Sequence, residues 1–183
     1  MNLSDHFLIS MPHMTDSDFS GAVIYICEHN TSGAMGVVIN KPTELTYAGL
    51  FDKIDLRLEI GPLAEKPVFF GGPVQTDRGF VLHDPRGSYN SSLIVSKDRA
   101  LTTSKDILES LSLGNGPPRV LITLGYSGWT AGQLEQELAQ NAWLTVKADP
   151  QVLYEIPPEK RFSRAMDLLG IDLGRLSPIA GRA

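Results

Sequence analysis

The sequence predicts an α+β fold, and three observations carry that prediction. Apolar runs such as "AVIYIC" and "RVLITLGY" are short, rich in β-branched residues and bounded by glycine, proline or polar turns, as strands are. Other segments repeat apolar residues at i, i+3, i+4 and i+7 behind a capping residue, as amphipathic helices do. Hairpin-like strand pairs stand beside strand-to-helix units, without the strict alternation of a doubly wound fold.

The elements follow in chain order. "FLIS" is a short strand that Pro12 stops, and "TDSDFSG" is turn-rich. Ala22 to Cys27 is apolar on both alternating faces, so it reads as a strand covered on both sides. "EHNTSGA" breaks it and "MGVVIN" follows, which together suggest a hairpin with a longish loop. Tyr47, Leu50, Phe51 and Ile54 share one helical face, with Thr43 or Thr46 as the cap. "PVFFGG", "GFVLH" and "SLIVS" read as three strands separated by "PVQTDR" and "DPRGSYN". In "TTSKDILESLSLG", Thr103 or Ser104 caps a helix whose face is Ile107, Leu108 and Leu111, and Gly114 ends it. "RVLITLGY" is a strand leading into "SGWTAGQLEQELAQNAWL", where Thr130 and Gln133 have capping-box spacing and Trp129 can staple onto Leu134. "VLYEI" reads as a late strand. The last helix lies in "PPEKRFSRAMDLLG", with Pro158 near its first position, Phe162, Ala165, Met166 and Leu169 on one face, and Gly170 as its stop. Proline and glycine punctuate the whole chain rather than one boundary, so residues 1–183 are expected to form a single domain.

Of the 183 residues, 42% are hydrophobic and 20% charged, which is enough apolar material for a packed core. The net charge of -5 and a pI of about 5.3 give little attraction to polyanions, so direct nucleic-acid binding is disfavoured. The densest basic cluster, Lys160, Arg161 and Arg164 with Arg175 and Arg182, is interleaved with Glu159, Asp167 and Asp172 and reads as a solvated face. Cys27 is the only cysteine, which fits a reducing compartment. The run "FLISM" is too short for a signal peptide, and nothing approaches the roughly 20 apolar residues of a membrane span. The expectation is a cytoplasmic protein with no membrane partner.

Four stretches bear on chemistry. "GAMGVVINKP" (33–42) has glycines and a lysine, but Asn40 precedes Lys41, Pro42 follows it, and the glycines lead into a strand, so it is no nucleotide loop. Gly33 suits a turn, Gly36 a bulge or close approach, and Asn40 a bond to nearby backbone. "GYSGW" puts Ser127 between a strand and a helix, where hydrolases place a nucleophile, but Trp129 replaces the closing glycine of G-x-S-x-G. Cys27 and His29 stand two apart at a strand's end and could share a face, yet Cys27 ends a run apolar on both sides and suits inert packing. The histidines at 6, 13, 29 and 83 have no metal-ligand spacing; only spatial accident could bring His83 and Asp84, or His13 and Asp16, to a metal.

In the order in which they occur, "YICEHNTSGAMGVVINKP", "GGPV", "DRGF" with "LH", "LGY-x-x-W-x-x-GQLEQEL-x-x-NAWL" and a closing "G-x-A" resemble the YqgE/AlgH family of bacterial proteins. The resemblance implies an α+β domain with a branched mixed sheet, partly closed like a small barrel and wrapped by helices. Part of the family carries the label of transcriptional regulator. The resemblance brings no catalytic residue, cofactor or metal. Asn40, Pro42, Gly71, Gly72, Pro73, Gly125, Trp129, Gln133, Leu134, Asn141 and Trp143 fall on its motif positions, a set without charged catalytic groups. The family more often has alanine at the position of Ser127, which weighs against a serine nucleophile.

The leading expectation is therefore a non-enzymatic protein that binds a small ligand or a peptide segment. The rivals are a regulator contacting DNA and an enzyme using Cys27 or Ser127. "INKP", "FGGP" and "GYSGWT" each end an apolar strand and are expected to meet, with Asn40, Lys41, Gly71, Gly72, Ser127 and Thr130 around the ligand. A helix starting near Thr130 would offer free N–H groups and Lys41 a charge, so the ligand would be a small anion or carboxylate, unless the Thr130–Gln133 box already occupies those groups.

Overall fold

In the computed structural model, which describes residues 1–58 and 61–170, ten strands form one branched mixed sheet flanked by helices. Its N-terminal part is a meander. β1 (His6–Ser10) pairs antiparallel with β2 (Val23–Asn30), and β2 with β3 (Gly33–Val38). Only Thr31 and Ser32 separate β2 from β3, so the hairpin is tight rather than long-looped; Glu28, His29 and Asn30 continue the strand because β3 supplies a ladder for them.

β4 (Pro42–Thr46) leads into α1 (Tyr47–Lys53), where Thr46 Oγ1 accepts from Gly49 N as expected of a cap. A one-turn α2 (Gly61–Ala64) precedes β5 (Pro67–Phe70). β6 starts at Val74 and runs to Asp84, so most of "PVQTDR" belongs to the strand rather than to a connection. β7 (Ser92–Ile94) matches expectation, whereas β8 (Ala100–Thr102) is a strand of three residues with no readable sequence period. α3 (Lys105–Ser112) follows, with Ile107 and Leu111 buried and Leu108 packed beside them.

β9 (Arg119–Thr130) organises the rest. One edge pairs with β6 from Arg119 to Leu124 and again at Tyr126. The other carries two partners: parallel β5 at Thr123 and Leu124, and antiparallel β3 from Ser127 to Thr130. The sheet branches between them, with β4 hydrogen-bonded outside β5. "SGW" is therefore strand, not turn. The next helix, α4 (Gln133–Ala139), begins beyond Thr130, on Gly132 in a left-handed conformation (φ 79°). Only half of the capping box forms: Gln133 Oε1 accepts from Thr130 N at 3.0 Å.

Two assignments reverse. "NAWL" opens β10 (Trp143–Lys147), which pairs with β1, and "VLYEI" is mostly helix, α5 (Pro150–Tyr154). Asp149 caps α5 from its side chain and Pro150 supplies the first helical φ. α6 (Pro158–Leu168) is as expected, with Gly170 at φ 71° behind it. Arg175, Arg182 and the closing "G-x-A" lie outside the described residues.

Both faces of the β1–β2 pair are buried, as the apolar runs require. Phe7, Ile9, Val23 and Tyr25 pack with Leu153, Ala165 and Met166 of α5 and α6. Leu8, Ile24 and Ile26 pack with Trp129, Trp143 and Leu134 of α4. A third cluster joins Tyr47 and Phe51 of α1 to Ile107 and Leu111 of α3 across Val68, Val81 and Ile122. No helix among the described residues is long and apolar enough to cross a membrane.

Candidate functional site

"INKP", "FGGP" and "GYSGWT" do come together, at the branch of the sheet. Gly71 C=O accepts from Val38 N at 2.8 Å and from Ser127 Oγ at 3.1 Å; Gly71 N donates to Leu124 C=O at 2.9 Å, and Phe70 N to Lys41 C=O at 2.8 Å. The junction is backbone against backbone. A Cβ on Gly72 (φ 152°) would stand 2.2 Å from the Tyr126 carbonyl, and one on Gly71 2.3 Å from that of Gly125. The glycines are needed for close approach, and no space for a ligand remains between them.

The polar residues named with them are engaged by the chain. Asn40 Oδ1 accepts from Val23 N and its Nδ2 donates to Gly21 C=O, both at 2.9 Å, which pins the entry to β2. Lys41 Nζ donates to the carbonyls of Ser17 and Asp18 at 3.3 and 2.8 Å, and partial burial lowers its pKa. Ser127 is fully buried within β9 rather than raised on an elbow. Thr130 alone is exposed, at the end of an open groove of about 540 Å³ that it shares with Ala34, Met35 and Tyr126.

Cys27 is also sealed. Its thiol faces Tyr25 C=O at 3.8 Å, and burial pushes its pKa well above the ordinary thiol range. A bulge in β2 between Ile26 and Glu28 reverses the alternation, so His29 pairs opposite Ala34 while Cys27 stays with the α5–α6 side of the core. The two do not act together. His29 Nδ1 accepts from Leu3 N at 3.0 Å, which places the proton on Nε2, 3.1 Å from Glu135 Oε2. His83 is buried with Nδ1 2.9 Å from Pro85 C=O and Nε2 2.7 Å from Thr102 Oγ1. Among the described residues, no three His, Cys, Asp or Glu side chains are placed to hold a metal.

The better-formed concavity lies elsewhere, where the α5–α6 connection passes over β5 and the start of β9. It encloses about 220 Å³. Phe69, Val120, Leu121, Leu153 and Ile156 supply apolar wall, Tyr47 and Lys66 line it as well, and Arg161 is its buried cation. Arg161 is 5% exposed. Its Nε donates to Ile156 C=O at 2.8 Å and Nη1 to Ile39 C=O at 2.6 Å, while the guanidinium carbon stands 4.9 Å from the Phe69 ring centre. No carboxylate lies within ion-pair distance of it among the described residues. Burial draws its pKa down to about 10, against weaker support from Tyr47 and Glu159. The basic-cluster reading placed Arg161 on a solvated face. The signal against that was present: Arg161 precedes Ala165 by four residues and so falls on the buried stripe of α6 with Phe162, Ala165, Met166 and Leu169.

Comparisons with known proteins agree with this architecture. The model of the AlgH-like family matches residues 7–174. A UPF0301 protein of Cupriavidus pinatubonensis is 61% identical over 183 residues, covering 100% of this chain and 96% of the relative; one of Ralstonia pickettii is 58% identical with the same coverage. The solution structure of the AlgH protein from Pseudomonas aeruginosa superposes with a TM-score of 0.81 at 48% identity, covering 100% of this chain and 97% of that one. A crystal structure from Corynebacterium diphtheriae shares the fold at 17% identity, with a TM-score of 0.70, covering 97% of this chain and 90% of the other. With its curled, branched sheet and flanking helices, the chain belongs to the AlgH-like family.

Proposed function

We propose that this protein is a non-enzymatic, cytoplasmic binding protein that holds a small molecule in the cavity between β5, β9 and the α5–α6 connection. One observation carries the reading: a preformed, mostly apolar hollow of about 220 Å³ lined by the buried Arg161, with Lys66 at its margin and the Tyr47 hydroxyl held by the backbone of Val120 and Ile122. The engagement of Ser127 and Cys27 in buried packing supports binding over covalent catalysis. A regulator that reads DNA would be expected to offer a basic helix to a groove; α4 carries Glu135 and Glu137 and no base, so the DNA reading gains no support from it.

A ligand-observed NMR screen of small fragments, followed by amide shift mapping, tests the proposal. Shifts should cluster at Phe69, Tyr154 and Ile156. A diverse library that leaves those residues unmoved, or shifts confined to the groove beside Thr130, would overturn it. Salt-sensitive binding to random duplex in a gel-shift titration would favour the regulator instead.

A further inference from the structure

Two arginines are buried among the described residues, Arg99 at 6% and Arg161 at 5% exposure, and they are treated differently. Arg99 holds Asp84 with two parallel bonds, Nε to Oδ1 at 2.8 Å and Nη2 to Oδ2 at 3.1 Å, and reaches Asp5 Oδ1 with Nη1 at 2.7 Å. Its charge is matched by fixed carboxylates. Arg161 has two carbonyls and an aromatic face. Of the five N–H groups of a guanidinium, those bonds use two, which leaves three unspent among the described residues. A buried cation without a counter-charge is costly, and the cavity it lines is the place where a counter-charge can arrive.

Building on the reading that this cavity binds a small molecule, we infer that the ligand is a small monocarboxylate, a short-chain or single-ring acid whose carboxylate meets the Arg161 guanidinium and whose apolar part lies on Tyr154 and Ile156. The planar fork of free donors suits a two-oxygen acceptor. The single buried charge suits a monoanion, whereas a phosphate ester, at about -1.5 to -2 near pH 7, would bring surplus charge into an apolar hollow. Lys66, exposed at the margin, adds attraction without enclosing the ligand. Glu155 also lines the cavity, but it is half exposed and bonded to Arg119 at 3.4 Å. At about 220 Å³ the hollow is smaller than the roughly 300–1,000 Å³ of drug-sized sites, which suits a small acid.

Hexanoate and benzoate, each against its isosteric amide, make the test in calorimetry or ligand-observed NMR. The acids should bind the wild-type protein at least about tenfold more tightly than the amides, as expected of a charge-assisted pair. R161M should abolish that preference by weakening the acids much more than the amides, and R161K should keep part of it. Equal binding of acids and amides to the wild type would overturn the carboxylate assignment and leave the binding cavity standing. No binding of either kind would overturn the cavity reading as well. Inorganic phosphate displacing benzoate at equal concentration would overturn the choice of carboxylate, and a preference that survives R161M would overturn Arg161 as the anchor. The comparison in the wild type needs no variant to fold.

Discussion

Trp129 closes its strand inside an aromatic cluster: its ring stacks on Phe19 at 6.4 Å and 22°, and meets Trp143 edge-on at 6.3 Å. Its Nε1 donates to Glu137 Oε1 at 3.0 Å, and that same oxygen accepts from Trp143 Nε1 at 2.9 Å. One carboxylate on α4 thus fastens two strands. Trp129→Ala removes the stacking, leaves a cavity and frees half of that clamp, so a loss of about 3–5 kcal/mol is expected in chemical denaturation; a loss under about 1 kcal/mol would contradict burial as its role. Cys27 makes the opposite kind of prediction. Enclosed among Tyr25, Val37 and the α5–α6 side of the core, with a thiol that burial keeps protonated, it should stay unmodified by a bulky thiol reagent until denaturant is added. Fast stoichiometric labelling of the native protein would count against it.

Elements whose signals are local were legible. α1, α3 and α6 each combine a readable start with a 3.6-residue apolar stripe, and each lies within a residue or two of its expected place. The misreadings share a cause. "VLY" has β-forming residues, yet Asp149 and Pro150 start a helix and its burial against the core keeps it. "SGW" has turn residues, yet β3 holds it extended. β8 is legible only through its partners β6 and β7. Those three strands also share a buried polar chain: His83 Nδ1–H donates to Pro85 C=O, so Nε2 accepts from Thr102 Oγ1, which in turn lies 2.7 Å from Ser92 Oγ. Burial lowers the His83 pKa, opposed by the Pro85 bond and by Asp84, with the Tyr89 ring edge-on at 5.4 Å. The sign follows from linkage. Below about pH 6.5 the unfolded chain takes up a proton at this position that the folded chain refuses, so stability falls as pH drops from there toward the folded pKa. Denaturation at a series of pH values should give a shallower acid slope for His83→Gln than for the parent between about pH 6.5 and 5. Identical slopes would show that His83 titrates freely.

At the scale of the whole molecule, the meeting of "INKP", "FGGP" and "GYSGWT" could be anticipated because each ends an apolar strand; that they would close on one another, glycine to carbonyl, could not, since it depends on β9 lending one edge to both β3 and β5. The burial of Arg161 was legible from its place on the α6 stripe, but its partner carbonyl at Ile39, 122 residues away, was hidden for the same reason. The two arginines buried among the described residues differ in what meets their charge. Arg99 joins Asp5 ahead of β1, Asp84 at the end of β6, and the hydroxyl of Tyr25 at 3.2 Å; its guanidinium also faces the Tyr154 ring, whose hydroxyl donates to Asp84. Arg99→Met would leave two mostly buried carboxylates facing each other's network, with Lys147 still reaching Asp5 at 2.9 Å but nothing comparable at Asp84 beyond Tyr154. Breaking such a set by removing one partner costs about 3–5 kcal/mol. Arg161→Met strands no carboxylate among the described residues and puts an apolar chain of similar length into a mostly apolar hollow. Two backbone carbonyls lose a donor, and the burial penalty of a cation disappears, so the net change should fall within about 1 kcal/mol of the parent or on the stabilising side. Urea denaturation of the two variants side by side decides the matter. If Arg161→Met is as damaging as Arg99→Met, the Arg161 charge serves the fold, and its unspent donors need no ligand to explain them.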